Sequence, residues 1–201
     1  MHIARYLSIF FLLLFPGLPP AHAEPLCDHA YCYTVAERTE LLAEPASGIR
    51  LDIAGFHVSV PPPERIVADG ETLYLHLGND AVLVIGPERL PQLRDAGVTI
   101  VPNQIPKMIF LKTPEDAAFL TQEDEKVWRF ALSLKRYHFE NASHALHVRH
   151  AGIHYFLSDG DLVGFSGQAL ITRTEQEDYF LRIDALNMDF QGFKRIVLSV
   201  H

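Results

Sequence analysis

The chain has 201 residues, 48% of them hydrophobic, and carries 17 Lys and Arg against 25 Asp and Glu for a formal net charge of −8. That length suits one domain with a real core. The acidic balance argues against nucleic acid, whose phosphates reward clustered Lys and Arg, and favours a cationic protein partner.

Residues 1–23 read as a secretory leader. MHIAR gives a short positive start, YLSIFFLLLF an apolar run, PGLPP a break, and AHA a small-x-small pattern before Glu24. The run is too short to span a bilayer comfortably, and no later stretch reaches spanning length, so no stable membrane insertion is expected after cleavage. Cys27 follows EPL, which lacks the small residue usual before a lipidated cysteine. Cleavage after Ala23 removes Arg5 and leaves 178 residues with 16 basic and 25 acidic side chains, a formal −9. The expected location is periplasmic or secreted.

Residues 24–48 read as a disulfide loop followed by a short helix. In an exported chain the pair Cys27 and Cys32, in CDHAYC, is expected to close a small disulfide. The spacing is wrong for a C-x-x-C redox motif, and with His29 the cysteines make an incomplete zinc set. Thr34-Val-Ala-Glu37 has the form of a capping box, which predicts a helix to about Glu44 before EPASG breaks it.

From residue 49 onward the pattern is that of one α+β domain, 49–201. Leu51 and Ile53, then Phe56, Val58 and Val60, predict a strand pair or one bent strand around Gly55. The prolines of PPPE at 61–64 end it. Leu73, Leu75 and Leu77 alternate with Tyr74 and His76; GND turns the chain, and AVLVI at 81–85 returns. Pro87 to Val98 is assigned to a short helix and loop, and Ile105 to Leu111 to a strand.

Thr113-Pro-Glu-Asp116 and Thr121-Gln-Glu-Asp124 both look like helix starts. Beyond them Val127, Trp128, Ala131, Leu132 and Leu134 form an apolar face at helical spacing, with Trp128 assigned to the core. From Ala145 the chain reads as a meander of three strands around Val148–Tyr155, Val163–Ile171 and Tyr179–Ile183, with Ser158-Asp-Gly-Asp161 as a turn. Phe193, Ile196, Val197 and Val200 at i, i+3, i+4 and i+7 predict a closing amphipathic helix.

Short connections between strands imply a single, largely antiparallel sheet flanked by helices, an α/β/α arrangement. In this order of elements, closed by YFLRIDALNMDFQGFKRIVLSV, residues 49–200 resemble the photosystem extrinsic PsbP-like family of exported proteins. The resemblance implies a binding or accessory role and carries over no site residue.

Little else looks chemical. HALHVRHAGIHY, residues 144–155, places His144, His147, His150 and His154 in twelve positions. Val148, Ile153, Tyr155 and Phe156 favour strand there. Strand alternation then puts His150 and His154 on one face and His147 on the other, so the four are not expected to converge on a metal. Gly164-Phe-Ser166-Gly only loosely resembles a nucleophile elbow, with wrong glycine spacing. Ser166 with a histidine and Asp161 is a conceivable triad. Asp159 and Asp161 are too short a run for calcium and are explained by the turn. HExxH, a phosphate-binding glycine loop and a dinucleotide fingerprint are absent.

The expected function is a non-catalytic, exported binding or accessory protein of the envelope, in the manner of an inhibitor or immunity protein. No catalytic residue, cofactor or metal is assigned. The rivals are a small periplasmic hydrolase using Ser166 or a histidine, and a metal carrier built on the histidine-rich strands.

Overall fold

The computed structural model describes residues 35, 37–38, 48–90, 101–113, 116, 121–159 and 164–201. In chain order the strands are β1 (Glu37–Arg38), β2 (Ile49–Ile53), β3 (Phe56–Val60), β4 (Arg65–Asp69), β5 (Thr72–His76) and β6 (Val82–Glu88). A single 3-10 turn, Pro102–Gln104, leads into helix α1 (Ile105–Leu111), and α2 (Gln122–Phe139) follows. Strands β7 (Ala145–His150), β8 (Ile153–Ser158), β9 (Gly167–Arg173) and β10 (Phe180–Leu186) and helix α3 (Phe190–Val197) complete the fold.

The fold is α+β. Eight strands form one sheet in the order β1-β7-β8-β9-β10-β6-β5-β4, and β2 and β3 form a separate hairpin. Every pair in the large sheet is antiparallel except β1 with β7. It is therefore two meanders, β4-β5-β6 and β7-β8-β9-β10, spliced where β6 lies beside β10.

Each face of this sheet carries its own core. On one face Leu75, Leu83, Ile85, Val148, Tyr155, Ile171, Leu181 and Ile183 pack against Phe56 and Val58 of the hairpin and Phe193 and Val197 of α3. On the other, Phe156, Leu170 and Phe180 pack against Ile105, Ile109 and Phe110 of α1 and Val127, Trp128 and Ala131 of α2. Burial on both faces explains why β8 and β9 are inside along nearly their whole length.

Gly167 shows how closely α3 docks. A Cβ at this position would lie 2.5 Å from Cδ1 of Phe193, so only a residue without a side chain fits beneath that ring. Asp189 caps α3 by accepting a hydrogen bond from Gly192 N at 2.8 Å. After the helix, His57 and His201 exchange backbone hydrogen bonds of 2.9 and 3.0 Å, tying the chain end to β3.

Three expectations are corrected. Ile105–Leu111 is a helix, not a strand: Pro106 sits in its first turn, and Ile105, Pro106, Ile109 and Phe110 are buried at helical spacing. Within the helix expected over Thr34–Glu44, the described residues Glu37 and Arg38 instead pair in parallel with His147 and Val148; tertiary pairing overrides the local capping pattern. The segment from Pro87 does not open a helix, because β6 continues to Glu88 beside β10. Proline is tolerated there because β5 pairs with β6 only over Val82–Ile85, so no neighbour requires its missing N–H. The leader, Cys27, Cys32 and Asp161 lie outside the described residues.

Candidate functional site

The β7–β8 hairpin, which carries the clustered histidines, turns through Ala151 and Gly152 at φ 47° and 80°. Positive φ at both central residues is the geometry of a two-residue type I′ turn, whose twist matches that of the flanking strands. The register sets His147 opposite Phe156, Arg149 opposite His154, and His150 opposite Ile153. His147 and His154 are therefore diagonal neighbours on one face, and His150 is on the other. The sequence expectation had set His150 with His154 and His147 opposite, because it carried strand alternation straight through Ala151-Gly152, where the chain makes a hairpin turn.

His147 Nε2 and His154 Nδ1 lie 3.0 Å apart. The His147 ring stacks on Phe156 with centroids 4.5 Å apart and planes 6° apart. His147 is buried and His154 half-buried. One imidazole donates to the other, which is self-consistent when both are neutral. Among the described residues no group of three His, Cys, Asp or Glu side chains is placed to hold a metal.

The remaining histidines go elsewhere. His144 Nδ1 lies 2.7 Å from Oδ2 of Asp159, whose Oδ1 accepts from the His144 backbone N–H, also at 2.7 Å. The His144 ring stacks on Phe190. His150 is exposed. Ser166 is a pin between strands: its hydroxyl donates to Ala185 O at 3.3 Å and accepts from Met188 N at 3.0 Å. Asp159 thus ties the two open ends of the β7–β8 hairpin together through His144.

Beneath α2 the structure reveals a polar row that periodicity did not expose. Ser158, Gln168 and Asp184 stand side by side on β8, β9 and β10, followed by Val84 and Tyr74 on β6 and β5. Gln168 donates to Tyr137 O on α2 at 2.8 Å. Asp184 accepts from Arg182 Nε at 2.8 Å, with Asp184 6% exposed and Arg182 33%. Burial raises the pKa of Asp184 against the pull of Arg182. Burial likewise raises Glu88, with Arg182 opposing and Asp184 reinforcing the shift.

Helix α2 adds two ionisable groups to this interior. Its buried positions include Lys135 and His138 beside Val127, Trp128 and Ala131. Burial lowers Lys135 to about 8, partly offset by Asp116, and its ammonium donates to the Lys112 carbonyl. Burial, aided by the charge of Arg182, lowers His138 to about 3, and its Nδ1 is 3.4 Å from Ser158 Oγ. The row thus brings the Arg182–Asp184 ion pair, Gln168, Ser158 and His138 together in the interior. The signal was in the sequence: the residues alternating with the apolar ones in β8 to β10 are Ser158, Gln168, Thr172, Arg182 and Asp184. Alternation alone reads such positions as solvent-facing.

None of the described helices is long and apolar enough to cross a membrane. Compared with protein-family models, curated proteins and solved structures, the chain finds no match.

Proposed function

We propose that this chain is an exported, non-catalytic binding protein of the cell envelope, acting as an accessory factor or inhibitor of another protein. The observation that carries the reading is the fate of Ser166. Its hydroxyl is committed on both sides to backbone groups, donating to Ala185 O and accepting from Met188 N, and so serves strand geometry rather than attack on a substrate. His144 is likewise engaged with Asp159. The leader-like residues 1–23 support a periplasmic or secreted location, and the formal −9 of the remaining chain supports a cationic partner. The architectural resemblance to PsbP-like exported proteins agrees with an accessory role.

The test uses the processed chain as bait on an envelope extract, then reconstitutes the complex from purified components. A stoichiometric, salt-sensitive complex with a cationic protein, unchanged by Ser166→Ala, is the expected result. Hydrolysis of ester or amide substrates that disappears in Ser166→Ala would replace this reading with the hydrolase one.

A further inference from the structure

Strand β4 closes one end of the large sheet and, among the described residues, pairs only with β5. All five of its residues, Arg65-Ile66-Val67-Ala68-Asp69, are exposed. Ile66 at 48% and Val67 at 41% are the most exposed large hydrophobic side chains among the described residues. Edge strands are usually blunted by short length, charged side chains, proline, a bulge or a covering element. Here the charges stand at the two ends and the middle is apolar.

The hydrogen-bond phase of this edge follows from its turn. Gly70-Glu71 is a two-residue connection with Gly70 at φ 59°, and Asp69 pairs with Thr72 across it. The pair that closes such a hairpin exchanges both backbone hydrogen bonds, and bonded pairs then recur at every second residue. Asp69, Val67 and Arg65 thus direct their backbone groups toward β5. The N–H and C=O groups of Ile66 and Ala68 point outward, ready for another strand.

We propose that β4 pairs antiparallel with β4 of a second copy of this chain, about a two-fold axis through Val67. In that register Ile66 of each copy meets Ala68 of the other, and these are the residues whose backbone groups face outward. Val67 meets Val67. Arg65 meets Asp69 of the second copy at one end, and Asp69 meets Arg65 at the other. These charged pairs fall at non-hydrogen-bonded positions, where side chains of facing strands come closest. A register centred on Ile66 would set Arg65 against Val67 and Asp69 against Pro63, leaving both charges without an opposite. Centring on Val67 satisfies backbone phase, apolar contact and charge together, and its isologous symmetry closes at a dimer. The Arg65 guanidinium, 2.8 Å from His76 Nε2, already lies along the face shared with Val67 and Asp69. The two large sheets become one continuous sheet. The inference is independent of the proposed function.

Sedimentation equilibrium of the processed chain over a wide concentration range tests it. The wild type should show a reversible monomer–dimer equilibrium. Arg65→Asp sets acid against acid at both ends, and Asp69→Arg sets base against base, so each variant alone should weaken association at least tenfold. Mixing the two variants should restore a dimer, as should the double variant R65D/D69R, because opposite charges meet again. Ala68→Pro, which removes an outward N–H not shared with β5, should abolish association while circular dichroism stays native. A wild type that remains monomeric throughout overturns the proposal. A dimer indifferent to both reversals, or variants that fail to associate on mixing, overturns it too. So does an envelope protein that occupies β4 while the chain itself stays monomeric.

Discussion

His138 occupies the inner side of α2, with its ring 5.3 Å from that of Phe110 and its pKa held at about 3 by burial and by Arg182. In the unfolded chain the same imidazole titrates near its ordinary value of 6.5. Between those two pH values the unfolded chain binds a proton that the folded one does not. Stability therefore rises with pH through this window and is lost as pH falls. Going from pH 6.5 to about pH 5 should cost on the order of 2 kcal/mol. Urea unfolding of wild type and His138→Met at both pH values should show a shallower acid decline in the variant; parallel declines would refute the assignment. A second residue-scale prediction concerns the turns Ala54-Gly55 and Ala151-Gly152. Ala54 at φ 50° and Ala151 at φ 47° occupy a left-handed region that costs alanine energy and suits asparagine better. Ala54→Asn and Ala151→Asn should each raise the unfolding free energy by about 0.5–1 kcal/mol, read from the denaturation midpoint. The same alanines explain why the histidine faces were misread: Asn-Gly would have announced a hairpin, and Ala-Gly did not.

At the scale of elements, the β2–β3 and β5–β6 hairpins, β9, β10 and the closing helix were legible because their apolar periods were clean. Phe56, Val58 and Val60 all enter one core, as do Phe193, Ile196, Val197 and Val200. Helix α1 was not legible, since seven largely apolar residues containing a proline fit a buried strand or a buried helix equally well. Strand β4 escaped because its five exposed residues carry no burial signal. The polar row beneath α2 was hidden because alternation assigns one face to solvent, whereas β8 to β10 are covered on both. The docking of α3 supplies a test of packing. Gly167→Ala would drive a Cβ into the Phe193 ring and should destabilise by about 2 kcal/mol. Phe193→Leu in the same background should recover part of that loss, giving a non-zero coupling in a double-mutant cycle. For the β7–β8 hairpin, zinc titration of wild type against His147→Ala/His154→Ala should show no stoichiometric high-affinity site in either protein. Zinc retained by wild type and lost in the variant would establish the metal reading.

For the whole molecule, the described core draws on residues from Val35 to Val200. Among the described residues, the two-residue strand β1 and Val35, which packs in the core beneath α1 and α2, join the N-terminal region to the rest of the fold. The bond proposed between Cys27 and Cys32 would close a short loop upstream of that strand. Peptide mapping without reductant should recover the two cysteines joined, and their double replacement by serine should cost less than about 2 kcal/mol. Global unfolding of that variant would contradict the placement. A different consequence follows from the splice between β6 and β10. Within each meander every pairing is between strands adjacent in the chain, but Val82 and Leu186 are partners about a hundred residues apart. Bringing them together incurs loop-closure entropy before the contacts reward it, so this ladder is where the folding barrier should concentrate. Neither meander alone covers both of its apolar faces, which makes early commitment to the splice hard to avoid. Ile85→Val and Ile183→Val should thus slow refolding in stopped-flow measurements and leave unfolding rates nearly unchanged, whereas Ile153→Val, remote from the splice, should act mainly by accelerating unfolding.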